Sequence, residues 1–179
     1  MKRIIPIFTL ALTVGTSAWA GTPQKRGLAT IDRPTAEAHV EFLASDELQG
    51  REAGWPGGRI AAQYIVSTLK AMGVGPLGPS YRHPFVAAHA ERQLRGQRWQ
   101  VDPDSVAKLR ATTHQELDMT NILAAIEGKN PDEIVIIGAH YDHIGYDPML
   151  SGDQIYNGAD DNASGVAAVL QIARAFLAT

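Results

Sequence analysis

Residues 134–165, IVIIGAHYDHIGYDPMLSGDQIYNGADDNASG, constrain this chain more than any other stretch. They open with Ile134-Val135-Ile136-Ile137, four β-branched apolar residues in a row. Such a run predicts a strand buried on both faces, here the central strand over residues 133–139. Gly138 and Ala139 then thin the chain, and His140, Asp142 and His143 follow. A loop rich in Gly, Asp and Pro leads to Gly158-Ala159-Asp160-Asp161-Asn162-Ala163-Ser164-Gly165, where a helical pattern begins. Open α/β sheets carry their ligand-bearing loops just past the carboxyl ends of the strands. Both polar clusters therefore fall where a site is expected.

The residue types point to metal. A neutral imidazole and a carboxylate suit a zinc-like ion. His140 and Asp142 are two apart, so persisting strand geometry would put them on one side, where the carboxylate can steady the ring. Asp160 and Asp161 set two negative charges side by side in a Gly-flanked turn, which is costly unless a cation or a helix start neutralises them. Each signal also has an ordinary reading. A strand-end His can simply be hydrogen-bonded, and an acidic pair before a helix can belong to a cap, with Asn162 or Ser164 as the N-cap residue. Two clusters at the two ends of one loop favour metal, but spacing alone leaves both readings open.

Composition narrows the setting. The chain has 179 residues, 45% hydrophobic and 20% charged, with a net charge of -3. That is room for one domain with a real core. The charges are interspersed, and no basic patch suggests nucleic acid. There is no cysteine, so any zinc must rely on His and carboxylate. Residues 1–20 read as a signal peptide: Lys2 and Arg3, an apolar run over 4–14 too short to span a bilayer, then Ala18-Trp19-Ala20 as a cleavage site. The mature chain is expected from Gly21, periplasmic or secreted, with no membrane contact after cleavage.

Along the mature chain, Asp32 is expected to cap a helix over residues 34–45. A loop over 46–56 precedes a helix over 57–72, with a stripe of Ile60, Tyr64, Ile65, Leu69 and Met72 and with Gly73 as its C-cap. Residues 81–87 read as a strand and 88–118 as irregular strands or a short excursion. His83, His89 and His114 have no spaced partners and are expected on the surface. Residues 121–127 form a strand, joined by the tight connection 128–132 to an antiparallel neighbour over 133–139. After the acidic pair, Val166, Val169, Leu170, Ala173, Phe176 and Leu177 line one face of a helix that is expected to pack on a sheet.

The segments Gly138-Ala139-His140-Tyr141-Asp142-His143 and Asn157-Gly158-Ala159-Asp160-Asp161-Asn162-Ala163-Ser164-Gly165 together resemble the metallopeptidases of family M28, the di-zinc aminopeptidases and their relatives. The likeness extends upstream to the run from Phe42 to Arg51 and to the run from Gly57 to Ile65. It implies an α/β fold, three-layer αβα with a mixed central sheet. Residues 21–179 would be the N-terminal part of a zinc peptidase domain, incomplete at the C-terminal side. The resemblance further implies two Zn2+ ions in the complete domain and a peptide substrate cut at its end by a metal-activated water, as in an aminopeptidase. His140 would be a terminal metal ligand, Asp142 the catalytic-site carboxylate that orients it, and Asp161 the carboxylate bridging both ions. Asp160 would be a turn residue, and the peptide bond Asp161-Asn162 would be cis.

His143 is expected at the pocket edge, Tyr156 and Asn157 lining the site, and Tyr146, Asp147 and Asp153 shaping the loop. Arg51 is expected to be solvated and paired with Glu47 or Glu52, the other reading being a substrate contact. The family pattern continues with a Glu-Glu pair, a later Asp and a later His, at positions beyond Thr179. The chain is therefore expected to be truncated and inactive by itself. Two alternatives remain: a non-catalytic peptidase-like remnant, and a glutaminyl cyclase-like enzyme that uses one zinc. Substrate side-chain preference, aminopeptidase versus carboxypeptidase action and oligomeric state are not fixed by these residues.

Overall fold

The structure, a computed structural model, describes residues 21–90 and 99–179; the predicted signal peptide lies outside them. The helices are α1 (Pro23–Leu28), α2 (Arg33–Leu43), α3 (Pro56–Met72), α4 (Pro103–Leu109) and α5 (Ser164–Leu177). The strands are β1 (Gly75–Pro76), β2 (Arg82–Ala90), β3 (His114–Ile122) and β4 (Ala124–Ala125). A 3₁₀ turn, Asp46–Arg51, joins α2 to α3, and an irregular turn, Ala159–Ala163, leads into α5. Helices and antiparallel strands are thus combined, as in an α/β fold.

Local chemistry sets the helix ends. Asp32 caps α2 as expected, its Oδ1 accepting from the Thr35 amide at 2.9 Å, and Pro34 occupies the first turn, where its missing N–H costs nothing. Gly73 ends α3 with φ 80°, the left-handed cap that glycine adopts without a Cβ penalty. The Val74 amide closes that cap on the Leu69 carbonyl at 3.0 Å.

The core is built on helices. Leu43, Leu48, Ala61, Ile65, Leu69, Val166 and Leu170 are all buried and join in one cluster. The α3 stripe is rotated from the expected one. Ala61, Ala62, Ile65, Val66 and Leu69 face inward, whereas Ile60 is 46% exposed. The small side chains at 61 and 62 let α3 approach its neighbours closely, and this outweighs the larger apolar volume of Ile60. Likewise α5 packs mainly on α2 and α1 rather than on a sheet, and Phe176 and Leu177 remain exposed.

The strand expectations need three corrections. Residues 88–118 are more regular than expected: β2 and β3 form a nine-residue antiparallel ribbon, in register from Arg82 opposite Ile122 to Ala90 opposite His114. The segment 121–127 does not pair with 133–139. Its backbone turns to earlier segments instead, β4 pairing with β1 and the Leu123 amide donating to the Tyr81 carbonyl at 2.9 Å. The expected central strand finds no ladder partner among the described residues. Ile134, Val135 and Ile136 are 83%, 81% and 89% exposed. A run apolar on both faces needs cover on both, and no described element lies over it.

His39 is a polar residue drawn into this helical core, only 8% exposed. Its Nδ1 lies 2.8 Å from the Tyr64 hydroxyl, and Tyr64 stacks on Phe42 with ring centroids 4.1 Å apart. Burial lowers the His39 pKa; the Arg174 charge adds to the shift and Asp32 opposes it.

Two outcomes follow for stability. As pH falls below the ordinary histidine value of 6.5, the unfolded chain binds the proton before the folded one, so stability declines with falling pH in that window. Thermal melts at pH 7.5 and 5.5 should therefore differ less for His39→Gln than for the parent; an equal difference would show that His39 does not titrate this way. The second outcome concerns Gly57 in the first turn of α3, where an added Cβ would lie 1.8 Å from the Leu48 carbonyl oxygen. Gly57→Ala, normally favourable in a helix by about 1 kcal/mol, should instead destabilise by about 1–3 kcal/mol in denaturant titrations.

Candidate metal centre

The 3₁₀ turn before α3 is the floor of the site. Gln49, Gly50 and Arg51 have φ of 46°, 67° and 50°, three left-handed residues in succession. They reverse the chain so that Gly50 lies against the loop after His140. The Gly145 amide donates to the Gly50 carbonyl at 3.1 Å, and the His143 amide donates to the Arg51 carbonyl at 3.1 Å. Gly50 has no room for a side chain, since a Cβ there would lie 2.0 Å from the Gly145 carbonyl oxygen.

The same reversal drives the Arg51 side chain inward, where it is 0% exposed. It makes no ion pair with Glu47 or Glu52, and burial leaves it no surface to offer a substrate, so both expectations are corrected. Its Nε donates to the Tyr141 carbonyl at 2.9 Å. Its Nη1 donates to the Asn157 carbonyl at 2.6 Å and to the Leu43 carbonyl. Its Nη2 donates to the Gly158 carbonyl at 2.9 Å. Burial lowers the pKa, opposed by the charges of Asp142 and Asp161; the guanidinium remains charged.

Above this floor the two polar clusters meet. His140 Nε2 lies 3.0 Å from Asp161 Oδ1. On the other side of the ring, Nδ1 lies 3.1 Å from the Asp142 carbonyl oxygen and 3.8 Å from the Asp142 carboxylate. The ring is thus oriented by the Asp142 main chain, with the carboxylate close behind. His143 Nδ1 lies 3.7 Å from the second Asp161 oxygen, Oδ2. The peptide bond Asp161-Asn162 is cis.

These contacts carry a chemical consequence. A carbonyl oxygen only accepts, so the hydrogen bond to Asp142 puts a proton on His140 Nδ1. Nε2 then faces a carboxylate oxygen, and a proton or a cation must lie between the two. Two ligands of a tetrahedral zinc, each roughly 2.0–2.2 Å from the ion, stand about 3.3–3.6 Å apart. The observed 3.0 Å is a few tenths of an ångström short of that. The donor types and spacing fit a zinc-like ion held by His140 and Asp161. The number of donors is short of four: among the described residues, no group of three His, Asp or Glu side chains converges in a way that could hold a metal.

The surrounding residues are mostly framework. Asn157 does not line the site; its Nδ2 donates to the Ala44 carbonyl and to Asp46 Oδ1, both at 2.8 Å. The Tyr141 hydroxyl donates to the Thr120 carbonyl at 2.7 Å, and its burial raises the phenol pKa. Asp147 and Asp153 shape the loop as expected, accepting from the Met149 and Ile155 amides. At the start of α5 the Asn162 Oδ1 accepts from the Gly165 amide at 3.1 Å, while Ser164 donates to the Asp160 carbonyl. His89 is buried rather than at the surface, bonded to the Ala90 carbonyl and to Gln115. Sequence reasoning missed the buried role of Arg51. The signal that could have found it was the Gln-Gly-Arg turn beside the small pair Gly57-Gly58.

Comparison with known proteins supports the same region. Residues 121–179 match the model of Peptidase family M28. Neither a curated protein nor a solved structure matches the chain. The matched residues take in the His140 and Asp142 cluster, the intervening loop, the Asp161 turn and α5. The segment that holds both polar clusters is accordingly assigned to peptidase family M28.

Proposed function

We propose that this chain is the N-terminal part, residues 21–179, of an exported zinc-dependent exopeptidase, an aminopeptidase acting on peptide substrates. The observation that carries the reading is the 3.0 Å approach of His140 Nε2 to Asp161 Oδ1 across a twenty-residue loop, inside the segment that matches a peptidase family. The proposal includes a three-layer αβα arrangement for the complete domain, in which the exposed apolar run 134–137 would be covered. It also includes removal of residues 1–20 on export to the periplasm or the outside.

Each residue has a stated task in this reading. His140 and Asp161 hold the ion, and the Asp142 main chain and carboxylate keep the imidazole turned toward it. His143, 13% exposed on its side chain, restrains the far Asp161 oxygen. When bound, zinc supplies Lewis-acid polarisation of a carbonyl and lowers the pKa of water. Peptide hydrolysis also needs a general base within hydrogen-bond reach of the attacking water. Among the described residues, no group of three or more His, Cys, Asp or Glu side chains is arranged so that it could hold a metal ion. That shortage favours, as the second reading, a non-catalytic peptidase-like protein that keeps the fold.

Titration of the metal-free 179-residue chain with Zn2+ tests the assignment. Binding should be present, and His140→Ala and Asp161→Asn should each weaken it by at least about tenfold, the loss that removing even an orienting partner of a ligand brings. Binding unchanged in both variants would sink the metal centre. The chain alone should hydrolyse aminoacyl-nitroanilides no faster than a metal-only blank. A substantial His140-dependent rate would refute the incomplete-centre reading.

A further inference from the structure

We propose that Arg51 is a positioning residue for the metal centre, its one planar guanidinium fixing the distance between His140 and Asp161. The inference rests on the peptidase reading above and deepens it. Nε holds the carbonyl of Tyr141, the residue between His140 and Asp142. Nη1 and Nη2 hold the carbonyls of Asn157 and Gly158, at the start of the turn that carries Asp161. Both sides of the site are therefore tied to a single rigid group, which is itself anchored on the end of α2 through the Leu43 carbonyl. The Arg51 main chain adds a further tie, accepting from the His143 amide at 3.1 Å.

Only arginine suits this place. Four carbonyl oxygens on three segments are met by a planar fork of five N–H donors; a lysine ammonium is a point with three. Burying the cation is costly unless its donors are satisfied, which a scaffold built for stability alone would avoid with an apolar residue. Asp142 and Asp161 lie close enough for their charges to act on it. Electrostatics and positioning make opposite predictions. A cation beside a metal site repels the metal, so removing the charge would tighten metal binding if charge alone mattered. If Arg51 sets the geometry, removing the fork loosens the site and weakens binding despite the relieved repulsion.

The test uses the full 179-residue chain with Arg51→Lys, Arg51→Met and a control, Leu170→Ala, which opens the buried core at a residue only 2% exposed. Each is measured below its own melting temperature, with folding verified by circular dichroism. Zn2+ affinity, read by competition with a chromophoric chelator, should fall about 10–100-fold in both Arg51 variants and stay within twofold in the control. The Co2+ absorption spectrum should change in the Arg51 variants only. Affinity equal to or tighter than the parent in both Arg51 variants would overturn the proposal.

A metal-free readout separates this idea from the peptidase reading. The His140 ring nitrogens, followed by long-range nitrogen–proton NMR, should report loss of the Asp161 contact in Arg51→Lys but not in Leu170→Ala. If the parent chain takes up no Zn2+, the peptidase reading fails and the ring signal alone judges Arg51: a shift specific to the Arg51 variants supports the clamp, and an unmoved ring overturns it.

Discussion

A charge removed from water must be answered by other partners, and that constraint organises this molecule around Arg51. A buried guanidinium left unpaired costs several kcal/mol, about what a marginally stable domain has in total. Here the answer comes from four main-chain carbonyls on three separate segments. Those segments cannot move independently without stranding a charge. The end of α2, the loop after His140 and the turn before α5 are consequently held in one arrangement. The three left-handed residues 49–51 and the tight passages at Gly50 and Gly57 make the burial geometrically possible.

The same arrangement explains how a site forms on a core that is mostly helical. Apolar packing joins α2, α3 and α5 through Leu43, Ile65, Leu69, Val166 and Leu170. The polar loops are then fastened to that cluster from outside, by Arg51 on one side and by Asn157 reaching Ala44 and Asp46 on the other. Asp32 contributes at the far end. It caps α2 and also pairs with Arg174 of α5 at 2.9 Å, a link between two helices that flank the site.

Within the site, main chain and side chain divide the work. The Asp142 carbonyl fixes which nitrogen of His140 carries a proton, and Asp161 therefore faces the other nitrogen across a gap that must hold a proton or a cation. This follows from the opposed positions of two acceptors around one ring and does not depend on any relative. The family match over residues 121–179 supplies independent support for a peptidase-type site, because it covers both halves of the pair.

Local chemistry alone determined a good deal. The Asp32 cap, the Gly73 terminator and the helix after Gly165 were legible because each rests on residue types acting over a few positions, whereas the pairing of His140 with Asp161 was expected only through the family resemblance of the two motifs. The strand pairing and the helix faces were not legible. Ile134 to Ile137 carry every local sign of a buried strand, yet burial is conferred by whatever packs on a segment, and no described element covers this one. Whether Ile60 or Ala61 faces inward depends on how closely α3 meets its neighbours, which periodicity does not encode. Arg51 shows the limit best. Its neighbours Glu47 and Glu52 made a surface pair the simple expectation, whereas only the folded chain brings together carbonyls from positions 43, 141, 157 and 158. Main-chain oxygens are the same in every residue, so a site built from them leaves no mark in the sequence of the segments that supply it.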